Sequence, residues 1–151
     1  MRVRLHLDPD NWHGATSEGL WSKLIAHGNE KSVVMIDNIP FFSKNICLGD
    51  TISVTLINRE WTFNSVVERG GHSTYRIFFS TDKPESLSRL KILKEMGCDW
   101  EFTAFNGGSR YAIDIPPTTD INVAYSCLEA GFAEEVWLFE EGFVGHPLLE
   151  M

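Results

Sequence analysis

Val3, Leu5 and Leu7 alternate with Arg2, Arg4 and His6, the period of two expected of a strand with one buried face. The Asp8-Pro9-Asp10-Asn11 cluster breaks that strand. Leu20 to Ala26 alternates again, with Leu20, Leu24 and Ala26 on one face and Trp21, Lys23 and Ile25 on the other, before a turn at Gly28-Asn29. Val33-Val34-Met35-Ile36 is an unbroken apolar run and predicts a strand covered on both faces. After Pro40 and the pair Phe41-Phe42, the turn Leu48-Gly49-Asp50 leads into a strand with Ile52, Val54 and Leu56 on its core face. Asn58-Arg59-Glu60 then closes a hairpin to a strand from Trp61 to Val67. Short strands at this spacing predict a small antiparallel barrel or sandwich over residues 1–71.

Past Gly70-Gly71 helical periods separate the strands. Thr74 to Ser80 reads as a strand with Tyr75, Ile77 and Phe79 facing a core. Pro84 suits the first turn of a helix in which Leu87, Leu90, Leu93 and Met96 recur until Gly97. Cys98 to Phe105 and Arg110 to Ile115 form a hairpin around Asn106-Gly107-Gly108. Thr118, Thr119 or Asp120 can cap a second helix that buries Ile121, Ala124, Cys127 and Leu128 and stops at Gly131, and Ala133 to Phe139 reads as a last strand. This βαββαβ order is that of a ferredoxin-like domain. The expected fold class is therefore α+β: a small β-barrel or sandwich over 1–71 packed on a ferredoxin-like domain over 72–151.

Composition changes this picture little, but the distribution of charge changes it considerably. With 43% hydrophobic and 12% aromatic residues in 151, the chain has enough apolar material to bury a core and is not a disordered tail. The formal charge is −8, and Arg110 is the last basic residue. All 13 Lys and Arg, and 13 of the 21 acids, precede position 111, so the net charge rests entirely on residues 111–151. A field of one sign repels nucleic acid and anionic membranes and steers basic partners toward it. Trp100, Phe102 and Phe105 on a ferredoxin-like sheet invite an RNA-stacking reading. The basic and glycine pattern of such readers is missing, however, and Glu134, Glu135, Glu140 and Glu141 on the last strand oppose phosphates, so these aromatics are assigned to the core. No apolar run reaches the roughly 18 to 20 residues that span a bilayer, and the amino terminus lacks a signal-peptide core, which predicts a cytoplasmic protein. Cys47, Cys98 and Cys127 lack metal or redox spacing and are expected to be buried thiols.

Motifs for catalysis are silent: there is no phosphate-cradling glycine loop, no GxSxG and no HExxH. His6, Asp8 and Asp10 with His13 form a weak metal-like grouping, read as a solvated turn. Glu68-Arg69-Gly70-Gly71-His72-Ser73-Thr74-Tyr75-Arg76 concentrates a histidine, a serine and two arginines at the junction between the halves. It offers an acid/base pair and an anion clamp, or else a set of ties between loops.

The strings Asp37-Asn38-Ile39-Pro40-Phe41-Phe42, Leu48-Gly49-Asp50, Val66 through Arg76 with its Gly-His-Ser-Thr-Tyr-Arg core, and Glu140-Glu141-Gly142-Phe143-Val144-Gly145-His146-Pro147 together resemble a bacterial family known only as a domain of unknown function, across residues 20–147. The resemblance implies no catalytic mechanism. It implies a link to polymorphic-toxin and contact-dependent-inhibition loci, where small acidic proteins of this size act as immunity proteins.

Two functional readings follow. In the first, the chain is a cytosolic immunity protein, not an enzyme and without a cofactor or metal. It would block a cognate toxin domain, a basic nuclease, through Glu134, Glu135, Glu140 and Glu141, with Asp120 and Glu129 beside them. In the second, it is a small ligand-binding regulator or enzyme with Arg69, His72, Ser73, Arg76 and His146 around a site at the domain junction.

Overall fold

A computed structural model describes residues 1–7, 17–79, 84–105 and 107–147. The first strands are β1 (Arg2–His6), β2 (Ser17–Ala26), β3 (Lys31–Ile36), β4 (Thr51–Ile57) and β5 (Glu60–Glu68). Each pairs antiparallel with the next, and a parallel β1–β5 contact at Arg4 and Thr62 closes them into a barrel. The alternation read from sequence fills this barrel: Val3, Leu5, Leu20, Val34, Ile36, Ile52 and Val54 point inward, and Ile46 from the β3–β4 connection joins them. The run at 33–36 is covered on one face only. Val34 and Ile36 are buried, whereas Met35 on the outer face is exposed. Leu24 is exposed too, because β2 runs past the rim of the barrel through an irregularity between Leu24 and Ala26.

The second sheet contains β6 (Ser73–Phe79), β7 (Asp99–Phe105), β8 (Gly108–Ile115) and β9 (Leu138–Val144), in the antiparallel order β7-β8-β6-β9. Two helices, α1 (Pro84–Glu95) and α2 (Ile121–Ala133), cover one of its faces. Leu90 and Leu93 of α1, and Ile121, Ala124 and Leu128 of α2, pack on Tyr75, Ile77, Phe79, Ile113 and Ile115. Asp120 caps α2, its carboxylate accepting from the amides of Asn122 and Val123. Gly97, at φ +100°, takes the left-handed conformation that ends α1.

The expected fold class is corrected. The described chain is mostly β, a closed five-stranded barrel and a separate four-stranded sheet, with helices of only 12 and 13 residues, and not an α+β chain carrying a ferredoxin-like domain. Both faces of the two inner strands of this sheet, β6 and β8, are buried. Tyr75 and Ile77 lie under the helices, while Thr74 and Arg76 on the other face are equally buried against loops that leave the barrel. The last strand also moves. Residues 134–137 form a turn after α2 in which Glu134 and Glu135 are exposed and Val136 and Trp137 buried, and β9 starts at Leu138. Gly131 does not stop α2; it lies within the helix, where a Cβ would collide with the Trp137 ring, so there it serves packing.

Candidate functional site

The connection between β3 and β4 passes between the barrel and the sheet, and buried charges hold it from both sides. Glu18 occupies an inward position of β2, two residues from Leu20. Its carboxylate accepts from the amides of Phe41 (2.6 Å), Phe42 (3.1 Å) and Ser43 (2.8 Å) and from the Ser43 hydroxyl (2.6 Å). Arg76 on β6 and Arg110 on β8 take the carbonyls of the same loop. Arg76 donates to Pro40 O (3.1 Å) and to Ser43 O, and Arg110 donates to Phe41 O (3.0 Å). Glu140 on β9 joins the two guanidiniums, 2.5 Å from Arg110 and 3.4 Å from Arg76. Burial lowers the pKa of Arg76, and Glu140 works against that shift.

A second tie lies beside the first. Asp50 accepts from Cys47 N, Gly70 N and the Arg69 guanidinium, and Arg69 also donates to Asn45 O and lies over the Phe143 ring at 4.1 Å. His72 Nδ1 sits 2.8 Å from Asp114, on β8. Ser73 and His146 have the separation of a nucleophile and its base, 2.6 Å between Oγ and Nδ1. The rest of their geometry is that of a latch. Ser73 Oγ accepts from the amides of Gly145 and His146, and both side chains are buried. His146 Nε2 lies 2.8 Å from the Pro116 carbonyl, which only accepts, so in the neutral ring this nitrogen carries the proton and Nδ1 accepts from the Ser73 hydroxyl. Burial pushes the Cys47 thiol up to about 11 and the Cys98 thiol to about 12, which keeps both protonated and unreactive at neutral pH.

The structure thus brings Arg69, His72, Ser73, Arg76 and His146 to one junction, each engaged by a neighbouring backbone group or carboxylate. Glu18, Asp50, Arg110 and Asp114 belong to the same junction and were not among the sequence candidates. Glu18 carried a signal, since a carboxylate in phase with Leu20 on a strand's core face requires buried donors. The six acidic candidates do not share one face. Asp120 caps α2, Glu134 pairs with Arg89 of α1 at the helix end, and Glu135 follows at φ +59°. Glu140 is held by the two arginines, and Glu141, on the other side of β9, accepts from the Tyr75 hydroxyl at 3.2 Å. Glu129 is exposed on α2. Phe102 is 55% exposed on β7, so it leaves the core assignment; the side chain of Phe105 lies outside the described residues. Asp8, Asp10 and His13 also lie outside them, and among the described residues no cluster has the makings of a metal site. Among the same residues no helix is long and apolar enough to cross a membrane.

Asp114 links this junction to pH. Its pKa is raised, chiefly by burial, with His72 opposing the shift. A carboxyl whose folded pKa exceeds its unfolded one binds its proton more tightly in the native state. The stability it contributes is complete below the ordinary carboxylate pKa of about 4 and is lost as pH rises through the raised value. Asp114→Asn should flatten that part of the stability profile. Urea midpoints measured across the acid range on both proteins check this, and parallel profiles would refute it.

A family model described as a domain of unknown function (DUF4265) matches residues 18–139. No curated protein gives a match. A crystal structure of a hypothetical protein from Neisseria gonorrhoeae is similar with a TM-score of 0.75, over 97% of this chain and 96% of the other, at 15% sequence identity. That likeness is one of fold.

Proposed function

We propose, from the premise that the chain belongs to the DUF4265 family of domains of unknown function, that it is a binding protein which docks a basic protein partner on the outer face of α2. The observation that carries this reading is a row on that helix. Tyr125, Glu129 and Phe132 follow one another at helical spacing, and the two aromatics are 40% and 51% exposed. Phe139 of β9 lies 5.9 Å from each ring and joins them into one aromatic surface, with Glu134 and Glu135 at the helix end. Exposed aromatics beside acids suit a partner that presents cations and an apolar anchor. The absence of basic residues after Arg110 adds a long-range field of the same sign.

The junction supports the reading from the other side, because its histidines, serine and arginines are engaged in holding the fold together. Glu140 and Glu141 leave the docking set for the same reason, as do Asp120, whose carboxylate caps α2, and Glu134, which pairs with Arg89, while Glu129 and Glu135 stay in it. The specific form of the proposal is neutralisation of a toxin domain such as a basic nuclease, the acids steering association and the aromatics slowing release.

Glu129 and Glu135 have no ion-pair partner among the described residues, so reversing them leaves the packing in place. With a partner captured in one-to-one ratio, E129K/E135K should slow association about tenfold at low salt, and the difference should shrink as salt screens the field. An association rate that the double reversal leaves unchanged would overturn the steering role.

A further inference from the structure

The barrel carries a second feature on residues that neither the junction nor the α2 face uses. Where β1 meets β5 the closure is thin, and a cleft of about 200 Å³ opens there, lined by Arg2, Arg4, Arg59, Glu60 and Trp61 with Val3 and Gly19. Arg4 is already engaged: its Nε lies 2.9 Å from Glu60, and it donates to Ser17 Oγ at 2.8 Å. Arg2 and Arg59 have no hydrogen-bond or ion-pair partner among the described residues. Gly19 makes room for Arg2, since a Cβ there would lie 2.6 Å from its Nε.

Arg59 is also an anomaly of local structure. Asn58 and Arg59 form the two-residue turn between β4 and β5, with φ of 50° and 67°. Such a turn favours Asn-Gly, because only glycine takes the second position without steric cost. An arginine there costs the hairpin stability and gains no internal partner. Strain of this kind, next to a cleft with a second unpaired guanidinium, marks a side chain kept for what it binds.

The geometry points to a binding site for a small phosphate monoester in this cleft. Three arginines and one glutamate leave two positive charges, which matches a phosphoryl group that carries close to two negative charges near neutral pH. Guanidiniums bind such a group through paired hydrogen bonds, and a carboxylate that makes the same pairs brings one negative charge against the two positive charges of the cleft. The volume lies below the ~300 to 1,000 Å³ of pockets that enclose drug-sized ligands, so the cleft takes the phosphoryl group and a short stem beside Trp61.

The full-length, ¹⁵N-labelled protein should be titrated with glycerol 3-phosphate, inorganic phosphate, sulfate and acetate at constant ionic strength, reading the Trp61 indole and the arginine Nε resonances. Glycerol 3-phosphate should give a saturable shift of Trp61 and of the Arg2 and Arg59 signals. R2A and R59G should each weaken it about tenfold or more, the effect of removing one charged hydrogen-bonding partner. R59G should at the same time raise the melting temperature, since glycine relieves the turn, so its loss of binding is not a loss of folding. A shift that acetate or sulfate reproduces at the same concentrations would show an adventitious ion only, and a shift that survives both substitutions would place the ligand elsewhere; either result overturns the proposal.

Discussion

Arg76→Met should destabilise the protein by about 3 to 5 kcal/mol, the scale observed when one partner of a buried ion pair is removed. The methionine keeps the apolar stem and removes the donors. It leaves Pro40 O without the Nε donor at 3.1 Å, Ser43 O without its Nη2 donor, and Glu140 with Arg110 as its remaining cation. Arg76 is fully buried, so solvent screening cannot dilute the loss. That Arg110 still meets Glu140 at 2.5 Å places the expected value toward the lower end. Removing Glu140 as well, in R76M/E140L, should deepen the loss, because it takes from the buried Arg110 the carboxylate that pairs with it. Urea unfolding measures all three proteins. A single-variant cost below about 1 kcal/mol would mean that water replaces the guanidinium without penalty and that Arg76 does not tie the loop to the sheet.

Much of the fold could be read from local patterns, and what could not depends on distant partners. Val3 with Leu5, and Ile52 with Val54, show their inward face by alternation alone, and all four are buried. Pro84 and Gly97 mark α1 because each acts through its own backbone. The closure of the barrel rests on one parallel contact between Arg4 and Thr62, far apart in sequence, so a barrel and a sandwich had the same signature. β9 was placed too early because Val136 and Trp137 are apolar and buried as a strand would be. Their burial instead serves a turn in which the Trp137 indole donates to Leu128 O at 3.0 Å. The α+β expectation gave weight to the two helical periods, and the lengths of nine described strands outweigh them.

The site divides in the same way. That the polar stretch around His72 gathers at a junction follows from its position around Gly70-Gly71, and Arg69, His72, Ser73 and Arg76 are found there. What engages them could not be read, because Glu18, Asp50, Asp114 and Glu140 arrive from other elements. The acidic excess after Arg110 was visible as a count, but a count carries no direction. Glu140 and Glu141 are neighbours in sequence on opposite faces of a strand, and so one meets two buried arginines while the other meets Tyr75. A run of acids on a strand is therefore weaker evidence for a surface than the same run on one face of a helix, as at Glu129 between Tyr125 and Phe132.

Glu18→Ala should be as damaging as the loss of Arg76, at about 3 to 5 kcal/mol, because it leaves several buried donors unpaired at about 1 to 3 kcal/mol each, part of which relaxation recovers. The donors are the amides of Phe41, Phe42 and Ser43 and the Ser43 hydroxyl, all within 3.1 Å of the carboxylate. Glu18→Gln should recover little of this despite its matching shape. One end of the amide is a donor, and it would face donors where the carboxylate presents only acceptors. The informative protein is the double variant. Glu18 grips the amides of residues 41–43 and Arg76 the carbonyls of residues 40 and 43, so both act on one short loop from opposite sides. Once either grip is lost, the loop can move toward solvent and the other has less to hold. The cost of E18A/R76M should thus fall short of the sum of the single costs by about 1 to 3 kcal/mol, the range found for residues that share a network. Strict additivity would mean that the barrel and the sheet hold the loop independently, and the junction would then be two separate ties in place of one clamp.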